Sequence, residues 1–318
     1  MRYLEREIWP QHFQAAAERA TRRALADLGG RSPALGQSAS RWLSLRCDPQ
    51  HPEAYFTHSQ GVPALALPWW LEDCIRGEVH AEFQTDLMYS TVSGYYFIRM
   101  LDDVMDGHEV DRAALPALHP FHLQFVKTYH RYFPALHPFW REFERNLMTT
   151  AEAATAEATL KDFHESDFLE VSARKPAAVI IPMAAVCFRY GRPDLLPPWE
   201  KFFTLFARWH QMRDDLLDWN IDGEAGCQTW LLCEAERRRT ADESVAMWMG
   251  REGFQWVKAL MDRWMEESVS AADGLNSPAV VNYLHMRRDS FSLQLASMLQ
   301  TAALSRKLLS LDPCYQQT

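Results

Sequence analysis

Apolar residues recur at three- and four-residue intervals over long stretches of this chain, and little interrupts them. Only 13 glycines serve 318 residues. That period belongs to amphipathic helices; a half-buried strand would alternate every second residue, and no pair of such runs appears. Glu5–Leu28, Val79–Asp106, Pro120–Phe133, Phe139–Thr159, Leu160–Arg189, Pro198–Asp222, Ala241–Met249, Gly253–Ala272 and Pro278–Leu309 all read as helices. Proline supplies most of the punctuation, as in RSPALG, CDPQHPEAYF, YGRPDLLPPW and GLNSPAVV. Pro198 and Pro278 fall in first turns, where a missing N–H costs nothing. No Gly/Ser-rich linker divides the chain and no internal repeat is visible. The expected fold is all-α: one domain over residues 1–318, a single large bundle of about ten helices. Segments apolar nearly all round, such as Lys175–Phe188, belong at its centre. A bundle of this kind builds its site in a central cavity, from side chains facing inward.

Composition narrows the function. With 47% hydrophobic and 24% charged residues, a sizeable core is available. The net charge is −9 and the basic residues are scattered, which argues against nucleic acid as a partner. The opening MRYLEREIWPQHFQ lacks the apolar core of a secretory signal. The longest uncharged apolar run, Pro176 to Phe188, is thirteen residues, short of the roughly 20 that span a bilayer; no integral membrane segment is expected. The six cysteines (Cys47, Cys74, Cys187, Cys227, Cys233, Cys314) form no C-x-x-C pair. They read as reduced thiols in a cytoplasmic protein.

Two acidic clusters break the pattern. IRMLDDVMDG ends an apolar helix with Asp102, Asp103 and Asp106; QMRDDLLDWNID does the same with Asp214, Asp215, Asp218 and Asp222. Like charges four apart on a helix cost roughly 0.2–0.5 kcal/mol, and acid is unfavourable near the negative C-terminal end of the dipole. One such cluster is an ordinary solvated helix end. Two matched clusters are better explained by a hard divalent cation that cancels the repulsion. Mg²⁺ takes oxygen ligands and joins one or two carboxylates to substrate phosphates. Gln211, one turn before Asp214, extends the second acidic face. No H-E-x-x-H, paired E-x-x-H, P-loop or G-x-G-x-x-G is present. His119, His122, His130 and His137 read as surface or loop residues.

At this point the sequence resembles the class I isoprenoid synthases, that is, trans-prenyl diphosphate synthases and the terpene synthases that share their fold. LDDVMD (Leu101–Asp106) and QMRDDLLD (Gln211–Asp218) carry the resemblance, in family order and at roughly family separation. SARKPAAVIIPMAAVCFRYG (Ser172–Gly191) looks like the family helix in which a lysine opens an apolar run. The likeness covers Val79–Gly226 well and the remainder by helical content alone. It implies three Mg²⁺ ions with substrate bound, two held by Asp102 and Asp106 and a third by Asp214 with Asp218, and it counts Asp103 and Asp215 among the metal-binding residues. Lys175 would contact the diphosphate. Arg99, Arg213 and Gln211 adjoin the metal motifs and Arg287 and Arg288 would cover the phosphates. Tyr95, Phe97, Ile98, Phe203 and Ala207, on the faces leading to the aspartates, would line a pocket for the hydrocarbon tail. The implied substrate is an allylic prenyl diphosphate, C15 or C20, and homodimers are common in the family.

Two departures shape the expected reaction. Elongating members carry an arginine pair just beyond the first aspartates; GHEVDRAALPA offers only Arg112. They also carry a Gly-Gly-Lys-Arg type segment for isopentenyl diphosphate. LGGRSPALG lies far upstream without the lysine–arginine core, and GVPALALPWWLEDC has no basic cluster. The expectation is therefore a one-substrate terpene synthase that ionises the diphosphate and cyclises or rearranges the cation. A prenyltransferase condensing two substrates is the main alternative, and a catalytically silent helical partner subunit the third.

Overall fold

The computed structural model describes residues 9–48, 50–108 and 110–311. Among these residues every regular element is helical, as the three-to-four-residue period requires. In chain order they are α1 (Gln11–Arg31), α2 (Pro33–Ser44), α3 (Ala54–Thr57), α4 (Ala66–Arg76), α5 (Ala81–Met105), α6 (Leu118–Tyr129) and α7 (Phe139–Glu157). There follow α8 (Glu165–Arg174), α9 (Ile180–Arg189), α10 (Leu196–Ala225), α11 (Trp230–Arg238), α12 (Val245–Trp248), α13 (Phe254–Asp273) and α14 (Pro278–Leu311).

Helices that the sequence period misses are short or proline-led. RSPALG, read above as punctuation, opens α2, with Pro33 in its first turn. The helices α4 and α11, eleven and nine residues long, hold too few turns to establish a period. Conversely, Leu160–Arg189 is broken into α8 and α9 by a turn and the 3₁₀ segment Ala177–Val179. Pro176 explains the break, since it donates no N–H and restricts the residue before it. The stretch Glu165–Arg189 is apolar and long enough to cross a membrane, but 61% of its apolar window is buried, as in a helix packed into a protein core. The first residues of Glu5–Leu28, and Cys314, lie outside the described residues.

The chain forms two compact units. The first comprises the described residues of Met1–Ala158 with Arg174–Glu200, the second those of Thr159–Ala173 with Lys201–Thr318. Within the first, α5 packs between α1 and α6. Gly94 permits that approach to α6, because a Cβ there would stand 2.8 Å from the Phe125 ring; Ser90 Oγ donates to the Phe125 carbonyl at 2.8 Å across the same interface. Within the second, Phe206, Trp209, Tyr283 and Phe291 join α10 to α14. Phe168, Trp230 and Trp264 form a separate aromatic cluster joining α8, α11 and α13.

Both aspartate-bearing helices end in the same way. Gly107 and Gly226 take φ of +72° and +73°, the left-handed conformation that glycine adopts without penalty. After α5, the N–H of Gly107 reaches the Val104 carbonyl and that of His108 the Asp103 carbonyl. After α10, Gly226 reaches Gly223 and Cys227 reaches Asp222. Each is a Schellman turn, which satisfies two carbonyls left over at a helix end.

Candidate active site

Helix α5 delivers the first cluster in its final turn. Asp103 is fully buried, because at one residue from Asp102 it turns about 100° toward the core. Trp42 Nε1 of α2 donates to its Oδ2 at 3.1 Å, and Arg46 pairs with the same oxygen. Arg99 Nε lies 3.1 Å from Oδ1. Asp102 keeps 18% of its side chain exposed and lies 3.3 Å from Lys175 Nζ. Lys175 is also bound by Glu157 Oε2 at 2.5 Å. Burial opposes its charge, but Glu157 and Asp102 outweigh that and hold its pKa above the usual lysine value. Asp106 caps the helix and is exposed; partial burial and the charge of Asp102 raise its pKa.

Helix α10 carries the second cluster well before its end. Asp215 is 6% exposed and accepts a hydrogen bond from Gln211 Nε2 at 2.8 Å. Asp214 has 45% of its side chain open, with Arg213 Nη1 3.0 Å from Oδ1 and His210 Nε2 3.4 Å from Oδ2. Burial pushes Asp214 up to about 6 against the pull of Arg213 and Arg287. Asp218 is exposed. Burial and Asp218 raise Asp222 in turn.

The predicted cations and pocket residues fall into place unequally. Arg213 and Arg287 are buried beside Asp214 and His210, and Arg213 Nη2 also donates to Gln294 Oε1 at 3.4 Å. Arg288 is exposed and pairs with its neighbour Asp289 at 3.7 Å. Tyr95 is half-buried, its hydroxyl bonded to that of Tyr55. Ile98 is half-buried, and Phe97 packs on the His122 ring. Phe203 and Ala207 are buried in the second unit. A cavity of about 340 Å³ in the first unit, lined by Arg19, Arg23, Glu82, Asp86 and Arg131 among others, lies at the opposite end of α5 from the aspartates.

No family model matches the sequence, and no curated protein matches it either. Solved structures do. A geranylgeranyl pyrophosphate synthetase from the archaeon Geoglobus acetivorans superposes with a TM-score of 0.65 at 13% identity, covering 88% of this chain and 98% of its own. A polyprenyl synthetase from Streptomyces coelicolor gives 0.54 at 16% identity over 84% and 99%. A geranyltranstransferase from Methanosarcina mazei gives 0.52 at 15% identity over 83% and 97%. The chain has the isoprenoid synthase fold.

On that fold the donor chemistry suits Mg²⁺. Each cluster offers carboxylate oxygens without thiol ligands, and Asp106 and Asp214 both carry pKa values raised by burial, so protons and cations compete for them. Among the described residues no three His, Cys, Asp or Glu side chains gather as a ready-made metal cage. Mg²⁺ does not need one, since it keeps waters and takes phosphate oxygens from its substrate. Sequence reasoning missed Trp42, Arg46, Glu157, His210, Tyr283 and Gln294. These are ordinary core or surface types, made relevant only by partners distant in sequence. His210 alone left a trace, standing four residues before Asp214.

Proposed function

We propose that this chain is a Mg²⁺-dependent enzyme that ionises an allylic prenyl diphosphate, C15 or C20, and joins the resulting cation to a second prenyl unit. One observation carries the reading. In each D-D-x-x-D run the second carboxylate is buried and hydrogen-bonded, while the first and last remain accessible: Asp102 and Asp106 in one, Asp214 and Asp218 in the other. These four residues would hold the metal, with three ions expected when substrate is bound. Bound there, Mg²⁺ would supply Lewis acidity and positive charge for the departing diphosphate.

The remaining chemistry belongs to side chains. Lys175, held by Glu157, presents a persistent positive charge beside Asp102 for the diphosphate. Asp103 and Asp215 act as anchors that fix the rotation of their helices. Tyr95 and Phe97 on α5, and Phe203 on α10, stand on the helices that carry the aspartates and would each offer apolar surface that excludes water from a carbocation; an aromatic face toward the charge contributes ~0.5–2 kcal/mol. Residues 1–318 would act as one catalytic domain of a cytoplasmic protein.

Transfer to a second prenyl unit is favoured because the structures of like fold are prenyl synthases by name. A terpene synthase is the second reading, supported by the missing arginine pair and Gly-Gly-Lys-Arg segment. Mass spectrometry of products from C10, C15 and C20 diphosphates, each with and without isopentenyl diphosphate, separates them. A longer prenyl diphosphate formed only with isopentenyl diphosphate supports condensation. Hydrocarbon or alcohol formed without it supports the terpene synthase. Inertness toward all three overturns both and leaves the silent partner subunit.

A further inference from the structure

Arg287 is fully buried, although its sequence position suggested a phosphate contact. Its guanidinium carbon lies 5.4 Å from the Phe206 ring centroid and 5.2 Å from that of Trp209. Nη1 donates to the Tyr283 hydroxyl at 2.6 Å and Nη2 meets His210 Nδ1 at 3.1 Å. A guanidinium donates and never accepts, so Nδ1 of His210 must offer its lone pair. The ring is then neutral and its proton sits on Nε2, the atom 3.4 Å from Asp214 Oδ2. The Phe206 ring lies nearly parallel to the imidazole, at 10° and 6.0 Å, which restrains its rotation. With Arg213 on the other oxygen, both oxygens of Asp214 are directed by neighbours.

We infer that His210 is a positioning residue: it relays the fixed orientation of Arg287 to the carboxylate of Asp214, so that Arg287 acts through His210 and not on phosphate. This rests on the reading of Asp214 as a metal-holding residue. It changes the role of a buried arginine from substrate contact to support of a ligand. Partners of this kind typically contribute 10–100-fold to metal affinity.

Two measurements test it. In metal-free protein labelled with [¹⁵N]histidine, imidazole ¹H–¹⁵N correlation spectra at neutral pH should show His210 as the neutral Nε2–H tautomer. The Nδ1–H tautomer or an imidazolium overturns the relay. In the second, Mn²⁺ binding in the presence of inorganic diphosphate is followed by electron paramagnetic resonance. His210→Phe should weaken it by about 10–100-fold, while His210→Gln, which can both accept and donate, stays within about threefold of wild type. Arg287→Met combined with His210→Phe should weaken binding by less than the product of the two single effects, because both cut the His210 path while the Arg287 charge also reaches Asp214 directly. Tight binding by His210→Phe overturns the positioning role and leaves the metal site standing. If wild type binds no Mn²⁺ with diphosphate, the metal reading falls and takes the relay with it. Should His210→Phe fail to fold, the tautomer and the glutamine variant still decide.

Discussion

The two acidic clusters share a motif and a helix-ending turn, yet the protein secures them differently. In the first, the buried Asp103 is tied to Trp42, Arg46 and Arg99, so α2 and the segment after it are fastened to the motif. In the second, Asp215 accepts from Gln211 on its own helix, and the exposed-side Asp214 meets the Arg213 guanidinium and the neutral His210 ring. The first motif ends at the helix cap, where Asp106 meets the unfavourable end of the dipole. The second stops before the end of α10, with Asp218 seven residues short of Ala225. Equal spacing in sequence thus goes with the same buried member in both runs, but not with the same partners for it. Ion pairs from Arg46 and Arg99 hold the first anchor; a hydrogen bond from Gln211, one turn away on the same helix, helps to hold the second.

The largest expected effects fall where the clusters are alike. Asp102→Ala or Asp214→Ala should each reduce Mg²⁺-dependent release of diphosphate from an allylic substrate by more than the roughly 10–100-fold that a supporting residue costs, with the helical circular-dichroism spectrum retained. Full turnover in either variant would break the equivalence at its root. Next come the anchors, where the clusters differ. Asp103→Asn leaves Arg46 and Arg99 without their shared buried partner. Breaking a fully buried pair costs about 3–5 kcal/mol; since both arginines reach solvent, about 2–3 kcal/mol is expected here. Gln211→Ala, which removes the donor to Asp215, should cost about 1 kcal/mol, the ordinary net worth of a hydrogen bond. Denaturant unfolding of the two variants side by side measures the contrast, and equal losses would erase it.

Much of this was legible in the sequence, for a physical reason. Long helices advertise themselves through period, so α5, α10, α13 and α14 stand close to where apolar spacing put them. The i, i+4 aspartates were equally plain, because helical geometry alone decides that they share a face. What the sequence hid depends on interactions between distant segments. Nothing about Trp42 or Arg46 marks them as partners of Asp103, and nothing about Glu157 marks it as a partner of Lys175. The pair Arg287–Arg288 shows the limit clearly. Adjacent and chemically identical, one is fully buried on an aromatic shelf and the other is exposed, a 100° helical step that no composition argument could resolve.

The smallest expected effect has the opposite sign and sharpens the contrast most. Burial pushes the Asp214 carboxyl up to about 6, above its ordinary value of about 4. A raised folded-state pKa means that, between about pH 4 and 6, the folded chain binds more protons than the unfolded one. Stability from this group is therefore present at low pH and is lost as pH rises through about 6. Asp214→Asn mimics the protonated form, so in metal-free protein at neutral pH it should raise stability by roughly 1 kcal/mol. That is only part of the full shift, because nearly half of the side chain is open to solvent screening. The same substitution should flatten the fall in stability between about pH 4 and 6. Denaturant melts of wild type and the variant across this range give the answer. A stability loss in Asp214→Asn at neutral pH would mean that Arg213 and His210 stabilise the fold through Asp214, as Arg46 does through Asp103. Both clusters would then be structural alike, and the carboxylate proposed to be held ready for a metal would have no excess energy for one to relieve.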